Sequence, residues 1–400
     1  MFEVEEKKNR SFLKGVLAGI AGCLIVLAGG IWCLSVALGI TGSDSESGFD
    51  LSEVQAKLAL IMYEIEDGYL YDIDYDALEE GIYKGMVDAL GDAYSEYYTE
   101  EEYTELLESS TGEYVGIGVQ VMQDEETNLI TVYRVYEDAG AYEAGVLAGD
   151  IIYEVDGEDI TDQDINTVVA KIKGDEGTYV EITVYREQTD EYLTFTIERR
   201  TFSDVTVEYE LLEDGVGYIQ ITGFEEATYE QFLEALEDLT AQGMEGLIID
   251  LRDNPGGLLT SVVDIADALL DEGVVVSMEY KDGTGEVYTS ESETQFDGEL
   301  VVIVNGNSAS ASEVLTGALK DRERAIIVGT TTYGKGIVQS IFSLGDGSGL
   351  KITIADYYTP NGTSIHGIGI EPDITVEEGD TNTDDQLEAA LEALREQMGD

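Results

Sequence analysis

VVIVNGNSASASEVLTGAL, Val301 to Leu319, reads as a buried strand that breaks at an Asn-Gly turn and runs straight into a helix. Val301 to Val304 form an apolar, β-branched run of strand type, and the polar Asn305, Gly306 and Asn307 interrupt it. Apolar residues at helical spacing follow from Val314. A strand feeding a helix is the unit of a layered α/β core. Such a junction also exposes a serine Oγ beside backbone N–H groups that can hold an oxyanion. Ser308, Ser310 and Ser312 all stand there. Pattern alone does not choose among them, because alternate residues face similar ways before the helix begins, and serines ahead of a helix are ordinarily caps.

Downstream, TTYGKGIVQ (Thr331 to Gln339) places Lys335 between two glycines, while the whole sequence contains one histidine, His366. A hydrolase built on this chain therefore activates its serine with a lysine, a variant of Ser-His-Asp logic. The lysine must be neutral to accept a proton, and burial in a water-poor site lowers its pKa. Taken alone, Lys335 is a surface lysine between turn glycines. A Ser-His pair using His366 is the formal alternative, but a lone histidine among glycines is ordinarily structural. No His/Cys/acid cluster suggests a metal site, and no cofactor is implied.

Strands and helices alternate around this junction. GYIQITGF, GLIIDL, GELVVIVN and AIIVG read as strands, and YEQFLEALEDLTAQG and GLLTSVVDIADALL as helices; the second helix is entered through Asn254, Pro255, Gly256 and Gly257. From Gly112 to Arg200 the texture shifts to short β-like runs with a helical DINTVVAKIK. This order resembles a PDZ domain, with Val115, Gly116, Ile117, Gly118 and Val119 as its carboxylate-binding loop and AGVLAGDIIYEVDG as its second characteristic segment. The physics agrees: glycines let successive N–H groups converge on an anion, and the strand after the loop can accept a peptide as an added strand.

The formal charge of −65, from 85 acidic and 20 basic residues, excludes a nucleic-acid footprint and reads as a solvating surface. An uncharged stretch from Gly15 to Ile40, preceded by Lys7, Lys8, Arg10 and Lys14 and followed by Asp44, Glu46 and Asp50, predicts a single membrane anchor with its amino terminus cytoplasmic and the body outside. A cleaved signal peptide is the competing reading, against which stand the length of the run and the lack of an A-x-A site. Both cysteines, Cys23 and Cys33, fall inside the stretch, so the body needs no disulfide. Between Leu51 and Ser110 the pattern is helical, and Asp76 with Glu79 resembles a capping box. DIDYDA is not an EF-hand loop, since Ala77 replaces the turn glycine and Tyr83 the final glutamate.

DLRDNPGG, NSASASE, GALKD, YGKGIVQS, YTPNG and GIEPD, with the PDZ-like segment and LGDAYSEYYTEEEY, together resemble the carboxyl-terminal processing proteases, or tail-specific proteases, over essentially everything after the anchor. The resemblance implies Ser310, the middle serine, as nucleophile; Lys335 as base; and Gln339, a helical-turn step beyond, as its support. It implies the N–H groups of Ala311 and Gly256 as the oxyanion hole, although Gly257 could equally be the donor. It also implies protein or peptide substrates with free carboxyl termini, taken by the PDZ loop. Lys173 stands where the family couples PDZ binding to activity, and the alternative is a solvated charge near a turn. The family also allows homo-oligomers through the amino-terminal helices, which spacing does not show. The expected organisation is a basic amino terminus (1–14), anchor (15–40), linker (41–50), helical region (51–111), PDZ domain (112–200), layered α/β serine protease core (201–378) and acidic tail helix (379–400). A catalytically silent PDZ scaffold and a ligand-binding protein on the same core are the rival functions.

Overall fold

The computed structural model describes residues 49–400 apart from 125–126, 292–293, 378, 380–382 and 400. The expected anchor, 15–40, lies outside them, and no helix among the described residues is long and apolar enough to cross a membrane. Two bodies are distinguished, divided after Asp76. In the first, α1 (Leu51–Gly68) is capped by Asp50, whose carboxylate accepts the N–H groups of Ser52 and Glu53. The next helix, α2 (Tyr75–Asp88), already includes Asp76 in its first turn. That is a correction to the capping-box reading: the acid favours the positive end of the helix from within rather than closing it from outside.

After β1 (Glu96–Tyr98) comes α3 (Glu100–Thr111), which has a reciprocal capping box between Thr99 and Glu102 and ends at left-handed Gly112. Gly112 opens the β-rich domain. Its elements are β2 (Glu113–Gly116), β3 (Val119–Gln123), β4 (Ile130–Val135), the short α4 (Gly140–Ala144), β5 (Ile151–Val155), β6 (Glu158–Asp159), α5 (Ile165–Ile172), β7 (Tyr179–Arg186), β8 (Glu191–Glu198) and β9 (Arg200–Ser203). Strands β3, β4, β5, β7 and β8 form an antiparallel sheet, and β2 pairs with β9 so that the chain enters and leaves side by side. Val168 and Ile172 of α5 join Ile130, Val132, Ile152 and Ile182 in a core of its own. Alternation along these strands puts every second residue inward, which is why one face is apolar.

The α/β core contains β10 (Val207–Leu211), β11 (Val216–Ile221), α6 (Thr228–Ala241), β12 (Gly246–Asp250), α7 (Leu259–Leu269), β13 (Gly273–Tyr280), β14 (Gly285–Ser290), β15 (Glu299–Val304), α8 (Ala311–Asp321), β16 (Ile326–Gly329), β17 (Ile337–Ser343), β18 (Gly349–Tyr358), β19 (Ile374–Thr375) and α9 (Asp385–Met398). One sheet runs β10-β11-β12-β15-β16-β19, parallel from β11 onward. Helices α6, α7 and α8 cover one face, and α9 covers the other through Ala390, Ala393 and Leu394. With helices on both faces, β12 and β15 are buried almost end to end, and their continuous Leu/Ile/Val runs follow from that. A second sheet, β1-β18-β13-β14 with β17 on β18, stands beside the first. In parallel sheets ligands collect beyond the carboxyl ends of the strands. The ends of β12 and β15 lead into the DLRDNPGG turn and the serine run.

Candidate active site

The frame beneath the serine run is polar and buried. Asn254 is fully buried: its Nδ2 donates to Ile221 O at 2.8 Å, and its carbonyl accepts Ala309 N–H at 3.0 Å and Ser312 Oγ at 2.9 Å. Ser308 Oγ donates to Leu251 O at 2.8 Å and accepts Asn305 N–H at 2.9 Å. The outer two serines thus tie the β15–α8 junction to the end of β12. Ser310 alone of the three lines a cleft of about 480 Å³ at this end of the sheet.

Ser310 precedes α8 with φ 54° and ψ −113°, a backbone conformation costly for a non-glycine residue. Three contacts hold it there. Its N–H donates to Glu313 Oε2 at 3.0 Å, the Tyr357 hydroxyl donates to its carbonyl at 3.0 Å, and Gly256 closes against it. A Cβ on Gly256 would stand 2.8 Å from Ser310 Cβ and 2.9 Å from Ala311 N, on a backbone of φ 104°. Only glycine leaves the Ala311 N–H open to the cleft. The Gly256 N–H donates to Asn254 Oδ1 at 2.8 Å. Between the two glycines left open by the sequence, Gly257 therefore has the amide without a main-chain or side-chain acceptor among the described residues, and it lines the same cleft.

Lys335 reaches the cleft from the opposite side. Both flanking glycines lie under the loop carrying His366: a Cβ on Gly334 would meet Ile368 N at 3.0 Å, and one on Gly336 would meet His366 N at 2.6 Å. The GKG spacing is thus a packing requirement. Burial pulls the Lys335 pKa below its usual value, aided by Lys351 and opposed by Asp92 and Glu313. Its ammonium lies 4.7 Å from the centre of the Tyr94 ring, and no hydrogen bond joins it to Ser310 or Gln339 among the described residues. Gln339 lies on strand β17, not a helical step beyond the lysine, and its Nε2 donates to Thr353 Oγ1 at 3.3 Å. The correction has a simple cause. Ile337, Val338 and Ile341 favour an extended chain, and β18 is there to pair with it. His366 is exposed and does not line the cleft.

Glu313 had been visible only as the last letter of a motif. Its carboxylate is fully buried and accepts four bonds: Thr332 Oγ1 at 2.6 Å and Gly334 N–H at 2.7 Å on one oxygen, Ser310 N–H at 3.0 Å and Lys335 N–H at 2.8 Å on the other. It staples the backbones of Ser310 and Lys335 together. The S-x-x-E spacing of a capping box was the available signal.

In the β-rich domain, Val115, Gly116, Ile117, Gly118 and Val119 all line a groove of about 310 Å³ with Val169, Ile172 and Lys173. Gly118 has φ 76°, and a Cβ there would fall on Ala139. The Ile117 and Gly118 N–H groups donate to no acceptor among the described residues. Lys173 pairs with Glu105 at 3.4 Å and Glu108 at 3.7 Å, both on α3.

Comparison with known proteins agrees with this architecture. The profile of peptidase family S41 matches residues 215–376, and that of the PDZ domain matches 131–186. The carboxy-terminal-processing protease of Bartonella bacilliformis is 37% identical over 336 residues, covering 81% of this chain and 75% of the relative. The carboxy-terminal processing protease CtpA of Bacillus subtilis is 33% identical over 364 residues, 88% of this chain and 76% of the relative. An S41-family structure from Bacteroides fragilis shares the fold at a TM-score of 0.51 and 19% identity, covering 83% of this chain and 93% of its own.

Proposed function

Because the chain belongs to the carboxy-terminal processing proteases of peptidase family S41, and is a serine peptidase with a PDZ domain, we propose that Ser310 is its nucleophile and Lys335 its general base. The observation that carries this reading is the strained Ser310 at the start of α8, with Gly256 packed on it and a desolvated lysine entering the same cleft. In the reaction, neutral Lys335 takes the Ser310 hydroxyl proton as Oγ attacks the scissile carbonyl. The oxyanion is received by the N–H groups of Ala311 and of the NPGG turn, where Gly257 has its amide to spare. Lys335 then protonates the leaving amine, and water resolves the acyl-enzyme with the lysine again as base. For this the amine must leave Tyr94 for Ser310, and Gln339 must leave Thr353 to support it.

The substrate's carboxylate is read by the Ile117 and Gly118 N–H groups and its apolar side chains by Val169 and Ile172, with the tail lying along β3. Lys173 couples this recognition to the core by exchanging Glu105 and Glu108 for the tail's charge. The body is held outside the cell by the 15–40 anchor, a reading that rests on the uncharged stretch and its flanking charges. Fluorophosphonate labelling and cleavage of an unstructured protein test the chemistry: Ser310→Ala should abolish both, and labelling that survives it sinks the assignment. Substrates with free apolar tails should be cut faster than amidated ones, and equal rates reject carboxylate recognition.

A further inference from the structure

In a chain with 85 acidic residues and 20 basic ones, a cleft lysine would be expected to find a carboxylate. Among the described residues the Lys335 ammonium makes neither an ion pair nor a hydrogen bond, and it lies over the Tyr94 ring, 4.7 Å from its centre. The backbone that carries that ring is held in place. Asp92 accepts Tyr94 N–H at 3.0 Å and Ser95 Oγ at 2.6 Å, Ser95 Oγ accepts Thr353 N–H at 3.1 Å, and Thr353 Oγ1 takes Gln339 Nε2 at 3.3 Å. One local frame therefore sets the ring beside the lysine and keeps the glutamine occupied elsewhere.

We propose that the Tyr94 ring is the berth of protonated Lys335 in the resting enzyme, and that Tyr94 is a positioning residue setting the pH at which the base becomes available to Ser310. The proposal rests on the reading of Lys335 as general base. The π face attracts an ammonium and has no such hold on a neutral amine, so Tyr94 favours the form that cannot accept a proton. The other groups facing Lys335 are Asp92 and Glu313, which favour its charge, and Lys351, which opposes it. Tyr333 sits at the Tyr94 hydroxyl, and His366 lies beside Asp92.

Tyr94→Leu keeps apolar bulk beside the amine and removes the π face, whereas Tyr94→Phe keeps the face and removes the hydroxyl. In pH profiles of kcat/KM and of fluorophosphonate inactivation, Tyr94→Leu should move the acid-limb midpoint down by about 0.5–1 pH unit. Rates below the wild-type midpoint should rise roughly three- to tenfold, while Tyr94→Phe keeps the wild-type midpoint. An unmoved midpoint in Tyr94→Leu, or an equal shift in Tyr94→Phe, overturns the berth. If Lys335→Ala is inactive, that result rejects the berth alone. Full activity in Lys335→Ala rejects the base and the berth with it. Should Tyr94→Leu not fold, the wild-type protein answers: the ε-methylene protons of Lys335 should be shifted upfield by the ring current, and their absence from that region overturns the proposal.

Discussion

Replacing Glu313 separates charge from hydrogen bonding at the centre of the site. Four donors converge on its two oxygens. In Glu313→Gln the oxygen can stay on the Ser310 and Lys335 amides while the new amide turns toward Thr332, whose hydroxyl can accept. The Gly334 N–H is then left facing a donor, and the Thr332 hydroxyl, which already accepts Ile370 N–H, loses the acceptor for its own proton. Two donors left without their charged acceptor, offset by no longer burying a charge, come to about 3 kcal/mol. Glu313→Ala strands all four donors and should cost about 5 kcal/mol or more, at the upper end of single substitutions. Urea unfolding followed by circular dichroism measures both. Activity should divide the same way: within roughly tenfold of wild type for Glu313→Gln, and down by more than about a hundredfold for Glu313→Ala, where the strained Ser310 loses its anchor. If Gln is as damaging as Ala in both assays, the negative charge matters and the staple argument is wrong. If Ala melts within about 1 kcal/mol of wild type, the four bonds do not hold the site together.

Lys335→Ala should abolish turnover with the fold intact while His366→Ala retains it, and near-normal cleavage by Lys335→Ala sinks the dyad. Gly256→Ala should lose roughly a hundredfold or more in kcat with little change in secondary structure, because the added methyl crowds Ser310 Cβ and the Ala311 amide; single-turnover acylation checks it. Burial, aided by Asp204, raises the Glu225 pKa to about 7. The folded state thus binds this proton more tightly than the unfolded one. The contribution is fully present below about pH 4.3 and is lost as pH rises through about 7. Glu225→Gln should therefore gain stability relative to wild type at pH 8 but not at pH 4, and a difference independent of pH in urea midpoints refutes this.

The parts of the site legible in the sequence were those whose chemistry is local. The strand-to-helix break at Asn305 to Asn307 announced α8, and the glycines of GIGV announced a turn whose Ile117 and Gly118 amides meet no acceptor among the described residues. The choice among three serines was not local, because it depends on Leu251 and Asn254, which accept from Ser308 and Ser312 across the sheet. The same holds for Gln339, where counting four residues from Lys335 suggested a helical step and pairing with β18 made a strand. Tyr94 was quoted within a motif without a role, since nothing near it in sequence shows which lysine its ring will meet.

Helix α3 separates two cavities: Leu106, Ser109 and Ser110 line the cleft with Ser310, while Glu108 lines the groove with Gly118. A helix with its side chains is about 10 Å across, and an extended chain covers ~3.3 Å per residue. A tail whose last residue is seated in the groove consumes about three residues merely in passing that wall. With the groove anchoring the tail and Ser310 attacking as proposed, single residues could not be nibbled from an anchored end. The end would leave as a peptide, and the thickness of one helix would set the shortest piece discarded.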